Sequence, residues 1–266
     1  MSAANIQEIV IIGAGRLATH LGLALHRHGF KVVQVCSRTP EKGRKLAGRI
    51  GASFTPEIRE IALNADLYIL AVSDSAIEEL ASRLHLKDRL VVHASGTMGM
   101  DILSPVSASI GVFYPVQTFS VPNRKIDFRK IPVCIEGNSK AVEEKLSAMA
   151  HKLTQNVHLL DTDRRRFLHL GAVFASNFTN CIYAVTEELL IAHDIPLELL
   201  EPLIIQTARN VRHGNLRQYQ TGPAVRGDVR VLEKHHEMLS DHPDYLDIYK
   251  LMSENIIKQK SMHGKL

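Results

Sequence analysis

Two glycines two residues apart follow a short apolar run in Ile11-Ile12-Gly13-Ala14-Gly15-Arg16-Leu17-Ala18. Gly13 permits a tight turn. Gly15 lets backbone approach a pyrophosphate seated on the N-terminus and dipole of a helix that opens at Arg16 and Leu17. Ala18 stands where a third glycine is common, an accepted variant. With a strand before and a helix after, the spacing implies dinucleotide binding. The next apolar run ends in Cys36-Ser37-Arg38-Thr39, with no acid to hold ribose hydroxyls. Arg38 can pair bidentately with a 2′-phosphate, and Ser37 and Thr39 can donate to it, so NADP is expected rather than NAD.

The rest of such a crevice comes from the loops after later strands. Val72-Ser73-Asp74 and His93-Ala94-Ser95-Gly96 occupy those places and are expected to border the ribose and nicotinamide. Asp74 serves equally well as a helix start. Further on, Ser176 and Asn180 each fall within about 20° of His169 on an ideal helix, with Asn177 about 80° from His169. Uncharged polar groups on a helix expected to be buried need partners. A substrate and a nicotinamide amide are candidates; hydrogen bonds between helices are the alternative. Thr221-Gly222-Pro223 reads as a helix start. Arg226 and Asp228 behind it either grip a substrate carboxylate or phosphate or form a structural cap and network.

Positioning these groups takes two kinds of architecture. The first half alternates apolar runs with amphipathic stretches, predicting strands over 8–12, 31–36, 52–54, 66–72, 90–93, 111–114, 132–135 and 157–160. Helices are predicted over 17–28, 40–49, 74–84 and 140–153, with a shorter one over 58–63. This rhythm means a mostly parallel, doubly wound α/β sheet. From Thr162 the strands stop. Phe167, Leu170, Phe174, Phe178, Cys181, Val185 and Leu189 recur at helical spacing, predicting one long helix, then three more over 197–212, 223–239 and 244–260. Two domains are expected, 1–161 and 162–266.

A charge of +4 suits an anionic ligand, but there is no basic, aromatic-interleaved face for nucleic acid. The run Arg164-Arg165-Arg166 reads as a solvated helix start. Cys36, Cys134 and Cys181 are far apart, which points to a reducing compartment and away from disulfides or zinc. No run is apolar enough for a membrane span, and the first residues lack the charge-then-apolar order of a secretion signal. A cytoplasmic location is expected, with no membrane partner. The fourteen histidines show no ligand-like pairing with an acid, so no metal is expected. No Lys lies between Thr162 and Lys234, and no Tyr-x-x-x-Lys occurs, which argues against lysine-assisted oxidative decarboxylation and short-chain dehydrogenase chemistry.

Several motifs carry a family resemblance: His93-Ala-Ser95-Gly96, Tyr114-Pro115-Val116-Gln117-Thr118-Phe119, His169 with Asn177, and Thr221-Gly222-Pro223-Ala-Val-Arg226-Gly227-Asp228 with His235. Across nearly its whole length the chain resembles the superfamily of 6-phosphogluconate dehydrogenase, pyrroline-5-carboxylate reductase and deazaflavin-dependent NADP reductases. It is most similar to NADP oxidoreductases that join a Rossmann domain to a helical C-terminal domain of unknown function. One departure is Tyr114-Pro115, where that branch has His-Pro. The resemblance implies a homodimer built on the helical domains; taken with the residues above, the leading expectation is hydride transfer to or from a small, anionic carbonyl or imine compound. In that expectation Ser95, Tyr114, His169 and Asn177 face the nicotinamide, Tyr114 or His169 donates the proton, and Ser95 also borders the cofactor. Substrate contacts fall to His93, Gln117, Asn180, Arg226 and Asp228. A non-catalytic NADP(H)-binding regulator and a reductase with a deazaflavin partner are the alternatives.

Overall fold

The computed structural model describes residues 6–119 and 126–263. Strand β1 (Glu8–Ile12) is apolar on both faces: Ile9 and Ile11 enter one core layer, Val10 and Ile12 the other. Burial on both sides is what a parallel sheet covered by helices requires. Strands β2 (Lys31–Cys36), β3 (Ser53–Thr55), β4 (Leu67–Leu70), β5 (Lys87–His93), β6 (Ser107–Pro115), β7 (Val133–Gly137) and β8 (Val157–Leu159) complete one sheet, ordered β3-β2-β1-β4-β5-β6-β7-β8. β1 to β6 run parallel; β7 is antiparallel to β6 and parallel to β8. The strand order reverses between β1 and β4, which opens a ligand crevice at their carboxyl ends.

Four helices serve this sheet: α1 (Arg16–Arg27), α2 (Pro40–Ile50), α3 (Asp74–Ala81) and α4 (Lys140–Leu153). Leu21, Leu25, Leu46 and Leu146 fill one layer, while Ile77 and Ala81 pack with Tyr68 and Leu70 in the other. The stretch expected as a helix over 58–63 is a single short turn, Ile58–Glu60.

The long helix starts as α5 (Thr162–Ala172), capped by Asp161, whose side chain accepts from Arg164 N. It continues through a π-helical segment, Val173–Phe178, into α6 (Thr179–Ile191). The π segment was not expected. It shifts the register of everything beyond it, so the angles assigned to Ser176, Asn177 and Asn180 on an ideal helix do not hold. The chain forms two compact units, Met1–Asn177 and Phe178–Leu266. That division falls inside the π segment, and α5 is tied to the sheet of the first unit through Thr162 and Arg165, which bond Glu136.

The second unit contains α6, α7 (Glu201–Arg209), α8 (Pro223–Arg226), α9 (Val229–Met238) and α10 (Pro243–His263). The single helix expected over 223–239 is broken. Gly227 takes a left-handed conformation (φ 71°) that ends α8, and Asp228 caps α9 by accepting from Val231 N. Among the described residues no helix is long and apolar enough to cross a membrane.

Candidate active site

The loop between β1 and α1 lies at the switch point. Gly13 has φ 121°, and a Cβ there would collide with the carbonyl of Ala71, while its N–H bonds the Cys36 carbonyl at 2.8 Å. Only glycine fits. Gly15 differs: a Cβ there would have no protein atom within 4 Å. No intramolecular packing demands this glycine, but a pyrophosphate approaching the backbone would. A cleft of about 600 Å³ opens there, lined by Gly13, Gly15, Arg16, Leu17, Ser37, Arg38, Thr39, Val72 and Ser73 among others. That size suits a cofactor site. Thr39 sits at the start of α2 without making a side-chain cap bond, so its hydroxyl is available to the cleft.

Sequence reasoning missed four charged residues of this cleft: Lys42, Glu57, Glu79 and Arg83. Lys42 was legible as a cation in the first turn of the helix after Arg38. Glu79 lies between two guanidiniums, 3.2 Å from Arg38 and 2.9 Å from Arg83. Cys36 at the cleft floor is pushed up to about 11 by burial, so it stays a thiol. The residues fit a dinucleotide with a 2′-phosphate, as Arg38 and Lys42 supply positive charge where the ribose hydroxyls of NAD would need an acceptor.

Ser95 lies outside this cleft lining and is buried. Its hydroxyl accepts from the backbone N–H groups of Thr97 (3.1 Å) and Met98 (3.0 Å). This hydroxyl thus builds the loop. His93 likewise is fully buried and shapes the loop. Ser95 N–H donates to His93 Nδ1 at 3.2 Å, which leaves Nε2–H to donate to the Gly99 carbonyl, also at 3.2 Å. Burial, reinforced by the charge of Arg165, pulls His93 down to about 4, so the ring is neutral at pH 7. Asp74 accepts from the Thr97 hydroxyl, so it steadies the same loop.

Tyr114, at the end of β6, and His169, two turns into α5, form the pair with chemical potential. The Tyr114 hydroxyl lies 3.0 Å from His169 Nδ1, and both residues are half-buried. Burial pushes the Tyr114 phenol above its ordinary range, against the opposing pull of Arg165. A phenol that stays protonated beside an imidazole able to replace its proton is a general acid. The imidazole packs on Gly96: a Cβ there would lie 2.5 Å from His169 Nδ1. The motif Ser95-Gly96 therefore serves His169 as much as any ligand.

Other members of the expected stripe have structural partners or stand apart. Ser176 shares a 2.8 Å hydrogen bond with Thr118. Gln117 is exposed and accepts from Thr118 N–H at 2.8 Å. Asn177 is exposed in the π segment. Asn180, Arg226 and Asp228 belong to the second unit, where Asp228 is the cap of α9 and Arg226 ends α8.

Arg165 was missed altogether. Far from being solvated, it is fully buried and its guanidinium reaches the carbonyls of Ser95 (3.2 Å), Gly96 (3.3 Å) and Met98 (2.9 Å), with Glu136 at 3.0 Å. Its one legible signal was its place four residues before His169, on the same helix face.

Residues 8–96 match the family described as "NADP oxidoreductase coenzyme F420-dependent", and residues 131–256 match a domain of unknown function. No curated protein matches the chain. A provisionally assigned NADP oxidoreductase from Bacteroides fragilis is 42% identical, with a TM-score of 0.89 over 97% of this chain and 100% of that one. An imine reductase from Myxococcus stipitatus, solved with NADP+, aligns at 18% identity and TM-score 0.67 over 96% of this chain and 95% of its own. A pyrroline-5-carboxylate reductase from Coxiella burnetii aligns at 20% and 0.56, over 96% and 99% respectively. The last two share the fold alone. With whole-length identity to the first and a built cleft for the dinucleotide, the chain belongs to the NADP oxidoreductase family that joins a Rossmann domain to this helical C-terminal domain.

Proposed function

We propose that the protein is an NADPH-dependent reductase of a small imine or carbonyl compound, with Tyr114 as proton donor. The observation that carries this reading is the 3.0 Å pair of Tyr114 and His169 at the carboxyl end of the sheet. Bound NADPH supplies the hydride, which goes to the carbon of C=N or C=O. The nitrogen or oxygen takes its proton from the Tyr114 hydroxyl. His169, as the Nδ1–H tautomer, donates a hydrogen bond to the phenol oxygen, which leaves the phenol O–H free for the substrate; it then passes its Nδ1 proton to the phenolate as Nε2 takes up a proton from water. The product is an amine or alcohol, with NADP+. Gln117 and Asn177 are proposed to orient the substrate. The substrate roles of Asn180, Arg226 and Asp228 rest on the sequence motifs, and a preference for an anionic substrate on Arg226 and the net charge of +4.

The deazaflavin reading gains little from the matched family description, because the match covers only the dinucleotide half of the chain. The proposal includes a homodimer built on the second unit and a cytoplasmic setting. It is supported by the apolar surface that Phe178, Leu203 and Met238 expose, at 50%, 62% and 73%, and by three unpaired cysteines. A panel of cyclic imines and 2-oxo acids, read by NADPH absorbance, tests the activity. Turnover of at least one class is expected. Tight NADPH binding with no turnover across the panel would leave a non-catalytic NADP(H)-binding protein.

A further inference from the structure

Arg165 lies outside the proposed proton-transfer pair, yet it is fully buried within unit one and bonded to more elements than any group in that pair. Its Nη1 reaches the carbonyls of Ser95, Gly96 and Met98, three peptides of one loop. Its Nη2 donates to Glu136 Oε2 at 3.0 Å and to the Thr162 hydroxyl at 3.1 Å. Glu136 in turn accepts from Thr162 N–H (3.0 Å) and its hydroxyl (2.9 Å), which fixes the first turn of α5 against β7. Arg166 adds a bond from Nε to the Thr97 carbonyl at 2.9 Å. The Nε of Arg165 is buried with no partner, so the guanidinium is placed for the loop at the expense of its own satisfaction.

We infer that Arg165, braced by Glu136, is the positioning residue of the Tyr114–His169 pair. Arg165 and His169 are four apart in α5 and share a face. The guanidinium clamps the loop while the imidazole, one turn further on, rests on Gly96 of that same loop. Glu136 stands on β7, opposite Val112 and two residues before Tyr114 along β6. The brace therefore joins β7, which is paired with the strand that carries the phenol, to the helix that carries the imidazole and to the loop after β5. A single hydrogen bond spanning two elements needs such a frame, since small misplacements cost rate steeply. Lysine cannot reproduce it: an ammonium is a compact point charge, without the planar fork that reaches three carbonyls and a carboxylate together.

This inference rests on the proposed role of Tyr114, so its test includes a readout that needs no substrate. The Nδ1 resonance of His169, identified by its loss in His169→Gln, is followed by 15N-histidine NMR. Tyr114→Phe marks the position of that resonance without the phenol partner. Arg165→Lys is expected to move it to the Tyr114→Phe position, with NADPH affinity within about threefold of the parent. With a cyclic imine as probe, kcat is expected to fall by about tenfold or more with KM little changed. Glu136→Gln keeps the shape of the brace and removes its charge; it is read the same way and is the deciding variant if Arg165→Lys does not fold. A His169 resonance unchanged from the parent in the folded variants would overturn the inference and leave Arg165 a stabilising residue only. A parent that reduces no imine would count against the reductase proposal alone, because the NMR outcome is independent of turnover.

Discussion

Arg38 and Glu79 share a 3.2 Å ion pair at the cleft rim, with the Arg38 side chain largely exposed, so the guanidinium can exchange a carboxylate for a 2′-phosphate. Arg38→Ala is expected to weaken NADPH binding by about 10- to 100-fold, the size of a lost charge-assisted hydrogen bond, with NADH binding little altered. Parallel calorimetric titrations check this; equal losses for both cofactors would contradict it. His93 predicts a pH dependence. Its folded value of about 4 lies below the ordinary value of 6.5. The stabilisation it reports is therefore present above pH ~6.5 and lost as the pH falls through ~4, since the unfolded chain binds the proton more readily. Its size is on the order of 3 kcal/mol. Denaturant unfolding from pH 7 to pH 4 should show this loss, and His93→Gln should flatten it. Cleft residues such as Gly13, Ser37 and Arg38 were legible in the sequence because their neighbours along the chain define their role. The buried bonds that His93, Ser95 and Arg165 make were not, because they join backbone groups that only the fold brings together.

Gly96 shows how an element reads its neighbour. A Cβ would stand 2.5 Å from His169 Nδ1 and 2.6 Å from Cγ, so Gly96→Ala must displace the imidazole. The expected outcome is a loss of about tenfold or more in turnover. The stability cost should be about 1–3 kcal/mol, with NADPH affinity retained. Kinetics beside a thermal melt check it, and unimpaired turnover would show that His169 has room to spare. The strands Glu8–Ile12 and Lys31–Cys36 and the helix Lys140–Leu153 match their sequence expectation residue for residue. Each is bounded by turn or cap chemistry: the Gly13 turn, the Gly29 turn before β2, and Ser139, whose hydroxyl accepts from Val142 N–H. The π segment left no such mark. Its residues, Val173-Phe-Ala-Ser-Asn-Phe178, fit ordinary helical periodicity, and one widened turn is a tertiary outcome.

At the scale of the molecule, the first unit has two complete core layers, whereas the second has almost none. Among the described residues from 178 onward only Ala224 and Leu239 are buried, while Leu199 and Leu251 are more than 60% exposed. A unit of this size cannot hold its helices without covering that surface. A second copy of the chain is the expected cover, which light scattering should report as twice the monomer mass. Leu203→Glu should lower that mass or cause aggregation; a monomeric parent would contradict the dimer. The apolar repeat that marks this surface was plain in the sequence, but its period alone says nothing of whether the stripe faces its own chain or another.

The reductase proposal depends most directly on the proton that leaves Tyr114. The deciding measurement is the single-turnover decay of NADPH absorbance with a cyclic imine, in the parent and in Tyr114→Phe. A fall of about 10²–10⁴ in the rate, with NADPH affinity unchanged, is expected for removal of a general acid. Equal rates in the two proteins would show that the pair with His169 takes no part in the chemistry.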